Sequence, residues 1–188
     1  NLPWRFAVTD TVTIGAFATP GGYIIVTRGL LGLMQDEHQL AGVLAHEISH
    51  VLRKHHLREI LREAQTSLLG DVATTALSLL GGNSTETQIA KVIGEEALGA
   101  GMALYGKGLS REDELEADAL GIVIAARGGY DPGGLGGVLF TLDAMSPHSP
   151  DYELMHSTHP STRDRISEIE RAMEGGLEQY SRSLDEHD

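Results

Sequence analysis

Short apolar pieces broken by Thr, Asp and Gly occupy the first 27 residues, and the spacing then changes to a helical one. Phe6-Ala7-Val8, Val12-Thr13-Ile14 and Ala16-Phe17-Ala18 are brief strand candidates. Thr19-Pro20-Gly21-Gly22 reads as a turn. Tyr23-Ile24-Ile25-Val26-Thr27 is the strongest strand signal, because β-branched and aromatic side chains suit a pleated surface. The expected product is a small antiparallel sheet over 1–27. Such a sheet either only braces the helix next to it or leaves an edge to which an extended peptide can add as a further strand.

After a short helix around Leu30–Met34, the residues Leu40, Leu44, Ile48, Val51 and Leu52 form one broad apolar stripe. This predicts an amphipathic helix over 36–62. Asp36 with Gln39 three positions on reads as a capping box, which starts the helix near Glu37. His46 and His50 lie on the opposite side, beside Gly42, Ser49 and Arg53. The stripe is expected to fill a core and the other face to look into a cleft, with Glu47 at the border. Continued to Arg62, the helix would put His55 on the far side from His46 and His56 off that face, both as surface histidines.

Residues 65–109 are rich in Ala, Gly and Leu, with Gly81-Gly82-Asn83 as the break between helices near Ser67–Leu80 and Thr87–Leu104. They are read as packing helices or as a cover over the cleft. Ser110 with Asp113 starts the next helix, 110–127, which Gly128-Gly129 ends. Glu114, Asp118, Gly121 and Ala125 share one of its faces, and Leu115, Leu120, Val123 and Ile124 cover most of the others. Only Glu116 is expected to look outward. A helix apolar nearly all round is buried, and the small Gly121 and Ala125 would let another helix come close. A short helix near Leu135–Met145, a polar loop from Ser146 to Pro160 and an amphipathic helix over 161–174 complete the chain. The whole reads as one α+β domain, 1–188, predominantly helical.

With 188 residues the chain can bury a core without staples. The absence of cysteine excludes disulfides and thiolate metal sites. A formal charge of −13 argues against nucleic acid and anionic membrane surfaces as partners, since phosphate binding needs clustered Lys and Arg. No run of about 20 apolar residues is present, so no membrane-spanning segment is expected. The chain opens on Asn1 rather than Met, which leaves room for a targeting signal, an anchor or a linker upstream.

Candidate chemistry begins at His46-Glu47-Ile48-Ser49-His50. Imidazoles four apart on a helix stand on one face, one turn apart, and can reach a single Zn²⁺ at about 2.0–2.1 Å. Glu47, about 100° round from His46, is badly placed as a third ligand but can hold a water on the metal. Two ligands and a base form the hydrolytic zinc pattern, although nine histidines in one chain also make a chance match conceivable. Two carboxylates on a buried helix are costly unless paired or bound to metal. Glu114 is therefore read as the third ligand, and Asp118 as the acceptor for the outer ring N–H of a ligating histidine. The helix dipole alone would account for Glu112 and Asp113, tolerably for Glu114, and poorly for Asp118. His159, just before a helix, is either a donor to a developing oxyanion or loop surface.

HEISH at 46–50 followed by ELEAD at 114–118 resembles the HtpX-like and CAAX-prenyl-protease family of zinc metallopeptidases, gluzincins with His, His and Glu ligands. AFATPGGYIIVTRGLL and STHPSTRDRI resemble further segments of that family in the same order, so the likeness spans residues 16–169. It implies a zincin-like fold and one Zn²⁺ per chain, with His46, His50 and Glu114 as ligands, Glu47 as base and Asp118 supporting a ligand. It also implies His159 and Arg165 as transition-state or structural partners, and Gly15, Ala16, Phe17, Ala18 and Thr19 as the strand along which substrate lies. Gly15 stands where the family often has Asn. Residues 65–109 are too short and polar for the spanning helices of its integral-membrane members. The resemblance thus implies a soluble, extracytoplasmic relative of bacterial periplasmic type. Its expected activity is endopeptidase action on unfolded or misassembled envelope proteins. Rival readings are a zinc hydrolase of non-peptide amides and a binding or chaperone module whose zinc site is closed.

Overall fold

The computed structural model describes residues 2–59, 108–145, 159 and 162–174. The expected helices within 65–109, apart from its last two residues, and most of the loop from Ser146 to Pro160 lie outside them. Three strands open the chain: β1 (Arg5–Thr9), β2 (Ala16–Thr19) and β3 (Tyr23–Thr27). Their order is β1-β3-β2, with β2 antiparallel and β1 parallel to β3. The sheet is therefore mixed rather than wholly antiparallel. Residue alternation sets which side chains share a face but not which neighbour a strand takes. The expected strand Val12-Thr13-Ile14 does not form. Thr13 N–H donates to Thr11 Oγ1 (3.3 Å), and the carbonyls of Val12 and Thr13 press on Gly29, where a Cβ would stand 2.0 Å from Val12 O. β2 and β3 bury Ala16, Ala18, Ile24 and Val26, whereas β1 stays exposed.

Thr27 joins the sheet to the first helix. Its Oγ1 accepts from Gly15 N–H and from Leu30 N–H, both at 3.1 Å, and so caps α1 (Arg28–Leu31). α2 (Glu37–Leu52) begins at the expected cap: Gln39 N–H donates to Asp36 Oδ1 (2.9 Å), while Gln39 Oε1 reaches back to Gln35 N–H (3.0 Å). Its C-terminus differs from expectation. α2 stops at Leu52, Lys54 takes a left-handed φ of 57°, and residues 55–59 start helical again. The expected run to Arg62 is broken there.

α3 (Arg111–Arg127), α4 (Gly134–Asp143) and α5 (Thr162–Glu174) complete the described helices. Ser110 caps α3 by accepting from Asp113 N–H (3.1 Å). α2 meets α3 at Gly121, where a Cβ would stand 3.0 Å from His46 N. It meets α4 at Gly42, where a Cβ would stand 2.4 Å from Leu135 N. Both contacts bring backbone against backbone. The core joins Ile14, Ala16, Val26, Leu30, Val43, Ile122, Leu135, Val138, Leu139, Leu142, Ile169 and Ala172.

α2 is inserted the other way round from its expected role. Its histidine face is the sealed one, with Gly42, Val43, Ala45, His46, Glu47, Ser49 and His50 buried. Of the apolar stripe, Leu40, Leu44, Ile48 and Val51 are half-buried and Leu52 is exposed. The small residues on the polar face decide this, because only that face lets α3 and α4 approach to backbone contact.

Candidate metal centre

Three helices and a residue just ahead of the last of them converge on one buried cluster. α2 carries His46, Glu47 and His50, and α3 carries Glu114 and Asp118. His159 enters from ahead of α5, and α5 carries Arg165. His46 Nε2 lies 2.9 Å from His50 Nε2 and 3.6 Å from Glu114 Oε2, and His50 Nε2 lies 3.6 Å from Glu114 Oε1. Donors around a tetrahedral zinc at about 2.0–2.1 Å stand about 3.3 Å from one another, and these separations bracket that value. Glu47 Oε2 is buried with no hydrogen-bond partner, an orphaned oxygen beside the donor set. The donors and the orphan both suit a divalent ion.

The donor set also takes in His159. One ring nitrogen from each of His159, His46 and His50 and a carboxylate oxygen of Glu114 lie within 4.8 Å of one another. His159 Nδ1 is 3.0 Å from Glu114 Oε2, and its Nε2 is 3.6 Å from Glu47 Oε1. It is buried, not loop surface.

Support comes from a clamp on α5. Arg165 Nε donates to Asp118 Oδ2 and Nη2 to Asp118 Oδ1, both at 2.8 Å, and Nη1 lies 3.1 Å from Glu114 Oε2. Asp118 Oδ1 is in turn 2.8 Å from His46 Nδ1. Arg165 thus holds, through its rigid fork, a carboxylate from the donor set and the carboxylate that orients a donor imidazole.

Burial and charge oppose each other here. Burial alone would raise Glu114, but His159 and Arg165 outweigh it and bring the carboxyl down to about 2. Burial of Asp118 is likewise outweighed by Arg165 and by the His46 hydrogen bond, which leave it well below the usual carboxylate range. For Glu47 burial prevails over His159 and His46, and its carboxyl is raised. Burial, aided by His46, holds His50 well below the usual imidazole value. For His159 the pull of Glu114 exceeds the effect of burial and raises it.

Reading the residues alone misses His55. Instead of a surface side chain it is fully buried, with Nδ1 2.8 Å from His50 Nδ1 and Nε2 3.1 Å from Glu116 Oε2. His56 is half-buried, its ring 5.4 Å from that of His50. Glu116, expected to look outward, turns to His55 and Arg53. A kink at 53–54 rotates the next residues back toward α2, and neither Gly nor Pro signals it. Ala16 to Thr19 form β2, one of the two edge strands of the sheet, with Gly15 just ahead of it, and β2 packs against α2.

Two imidazoles from an HExxH helix, a glutamate from a second helix and a buried adjacent carboxylate define a metallopeptidase type of centre. The chain belongs to Peptidase family M48, whose profile matches residues 1–173. It is similar to the mitochondrial metalloendopeptidase OMA1 of Schizosaccharomyces pombe (31% identical, covering 90% of this chain and 47% of that protein). It is also similar to the beta-barrel assembly-enhancing protease of Escherichia coli strain K12 (30% identical, 89% and 34%). A third relative is the mitochondrial metalloendopeptidase OMA1 of Danio rerio (30% identical, 96% and 38%). The chain spans between about a third and a half of the length of these relatives. No helix among the described residues is long and apolar enough to cross a membrane.

Proposed function

We propose that this chain is a zinc metalloendopeptidase of the HtpX-like branch of its family. The observation that carries the reading is the buried, unpartnered Glu47 Oε2 beside the His46, His50 and Glu114 donors. A bound zinc would lower the pKa of a coordinated water toward about 7 and polarise a peptide carbonyl. Glu47, raised by burial, takes the proton of the attacking water and hands it to the leaving amine. His159, whose protonated form the neighbouring Glu114 carboxylate favours, donates to the oxyanion. Asp118 and Arg165 fix the His46 ring and Glu114. Substrate adds as a strand beside β2, along Gly15 to Thr19. By analogy with the beta-barrel assembly-enhancing protease, the substrates are unfolded or misassembled envelope polypeptides in a bacterial periplasm.

One observation favours a second reading. His159 completes a set of four protein donors, and a zinc with four protein ligands is closed to water. In that case the chain is a zinc-binding module with a shut site. Two variants separate the readings. Glu47→Gln should keep zinc and lose cleavage of a denatured protein such as unfolded casein. His159→Ala should keep zinc and lose turnover in the catalytic reading, whereas in the closed reading it should lose much of its zinc affinity. Turnover that survives in Glu47→Gln removes Glu47 from the mechanism.

A further inference from the structure

We infer that His55 is a positioning residue for His50, fixing the tautomer in which His50 can ligate a metal, with Glu116 fixing His55 in turn. The inference rests on the metal-centre reading and extends it to residues outside the HExxH motif. Two ring nitrogens 2.8 Å apart, Nδ1 of His50 and Nδ1 of His55, share a single proton. If His55 carries it, His50 keeps its own proton at Nε2, the atom that faces His46 and Glu114, and has no lone pair there for a metal. If His50 carries it, Nε2 is bare and His50 is a ligand. The far end of the chain decides between these. His55 Nε2 lies 3.1 Å from Glu116 Oε2 and 3.7 Å from Asp113 Oδ1, and carboxylates only accept. His55 therefore carries its proton at Nε2, its Nδ1 accepts, and His50 must donate.

The arrangement matches the one at His46 with an extra link. The outer nitrogen of His46 meets the buried carboxylate of Asp118 directly, and Arg165 holds that carboxylate. The outer nitrogen of His50 meets an imidazole instead, and that imidazole meets Glu116, whose carboxylate faces Arg53 as an ion pair (Nε–Oε1 3.1 Å). Arg58 Nη2 holds Asp113 at 2.6 Å and donates from Nη1 to Arg53 O (2.9 Å), tying the turn to α3. The left-handed Lys54 brings His55 into place, since an unbroken helix would carry it to the opposite side. With both Asp113 and Glu116 paired to arginines, the cluster of His55, Asp113 and Glu116 orients a neighbour instead of holding a cation of its own.

The experiment takes the zinc-loaded, ¹⁵N-labelled chain and reads ring tautomers from long-range ¹H–¹⁵N correlations. His55 is expected as the Nε2–H tautomer and His50 as Nδ1–H. Zinc affinity measured against a chromogenic chelator should fall about 10–100-fold in His55→Leu. His55→Asn, whose amide sits where Nδ1 was, should recover most of the loss. Glu116→Gln, which can donate where the carboxylate only accepted, should let the wrong His55 tautomer appear. A His55 found as Nδ1–H or doubly protonated overturns the inference, and the unmodified chain suffices to show it if His55→Leu does not fold. A His55→Leu affinity within about twofold of wild type also overturns it while leaving the zinc reading intact. An unmodified chain that binds no zinc removes both together.

Discussion

Arg165 carries more of the site than any other side chain outside the donor set. It is among the most buried side chains of the molecule, and its guanidinium satisfies Asp118 twice and Glu114 once. Removing one partner of such a group leaves carboxylates buried without a counter-charge, and this is costlier than the pair itself is worth. Arg165→Met is therefore expected to destabilise the metal-free protein by about 3–5 kcal/mol, read from denaturant unfolding. A loss well under that range would mean that Asp118 and Glu114 find other partners. Arg165 was legible through the likeness of STHPSTRDRI to a family segment but not as a clamp, because spacing along one helix does not reveal which carboxylate of another helix it meets.

At the scale of elements, α2 is the piece around which the others are fitted. Its place depends on residues with almost no side chain. Gly121 of α3 lies against the backbone of His46, and Gly42 lies against the start of α4. Alanine at 121 would gain up to about 1 kcal/mol of helix propensity, which blurs its clash. Gly121→Val gives the clearer test and should cost about 1–3 kcal/mol in unfolding free energy, with weaker zinc binding as α3 is pushed from His46. Unchanged stability and affinity would show that the two helices tolerate separation.

The elements also show where sequence reading reaches its limit. The caps at Asp36 and Ser110 were legible because a side-chain oxygen three residues ahead of a free N–H is a local device. So was the small patch at Gly121, since a missing side chain on a buried helix invites a close neighbour. The buried face of α2 was not. Its apolar stripe promised burial, but closeness of approach, a property of pairs of helices, went to the polar side. The parallel β1–β3 pairing and the kink at Lys54 were equally hidden, the first being non-local and the second occurring in a run of good helix formers.

For the whole molecule, the cluster sets how the metal-free fold responds to acid. His50, His55 and His56 are all lowered by burial, His56 to about 3, so the folded state binds fewer protons than the unfolded chain below pH 6.5. Their contribution is present above 6.5 and lost as pH falls. Glu47, raised, acts in the opposite sense, but only above about 4.5, the usual range of a free glutamate. His159, also raised, affects the slope only above 6.5. Below about 4.5 Glu114 and Asp118, both depressed, add to the loss unopposed. Denaturant midpoints of the metal-free protein should therefore fall from pH 7 to pH 5.5 and more steeply from 4.5 to 3. The slope is about 1.4 kcal/mol per pH unit for each net proton taken up. A flat profile across that span would show that the cluster loosens in the absence of metal.

The backbone-to-backbone seams on both flanks of α2 have a final implication. Side chains at a joint act as a compliant gasket, and glycine seams have none. The span between His46 and Glu114 is thus fixed by the thickness of two peptide chains, and the cage should select its ion by radius. A divalent cation appreciably fatter than zinc could be seated only by prising helices apart.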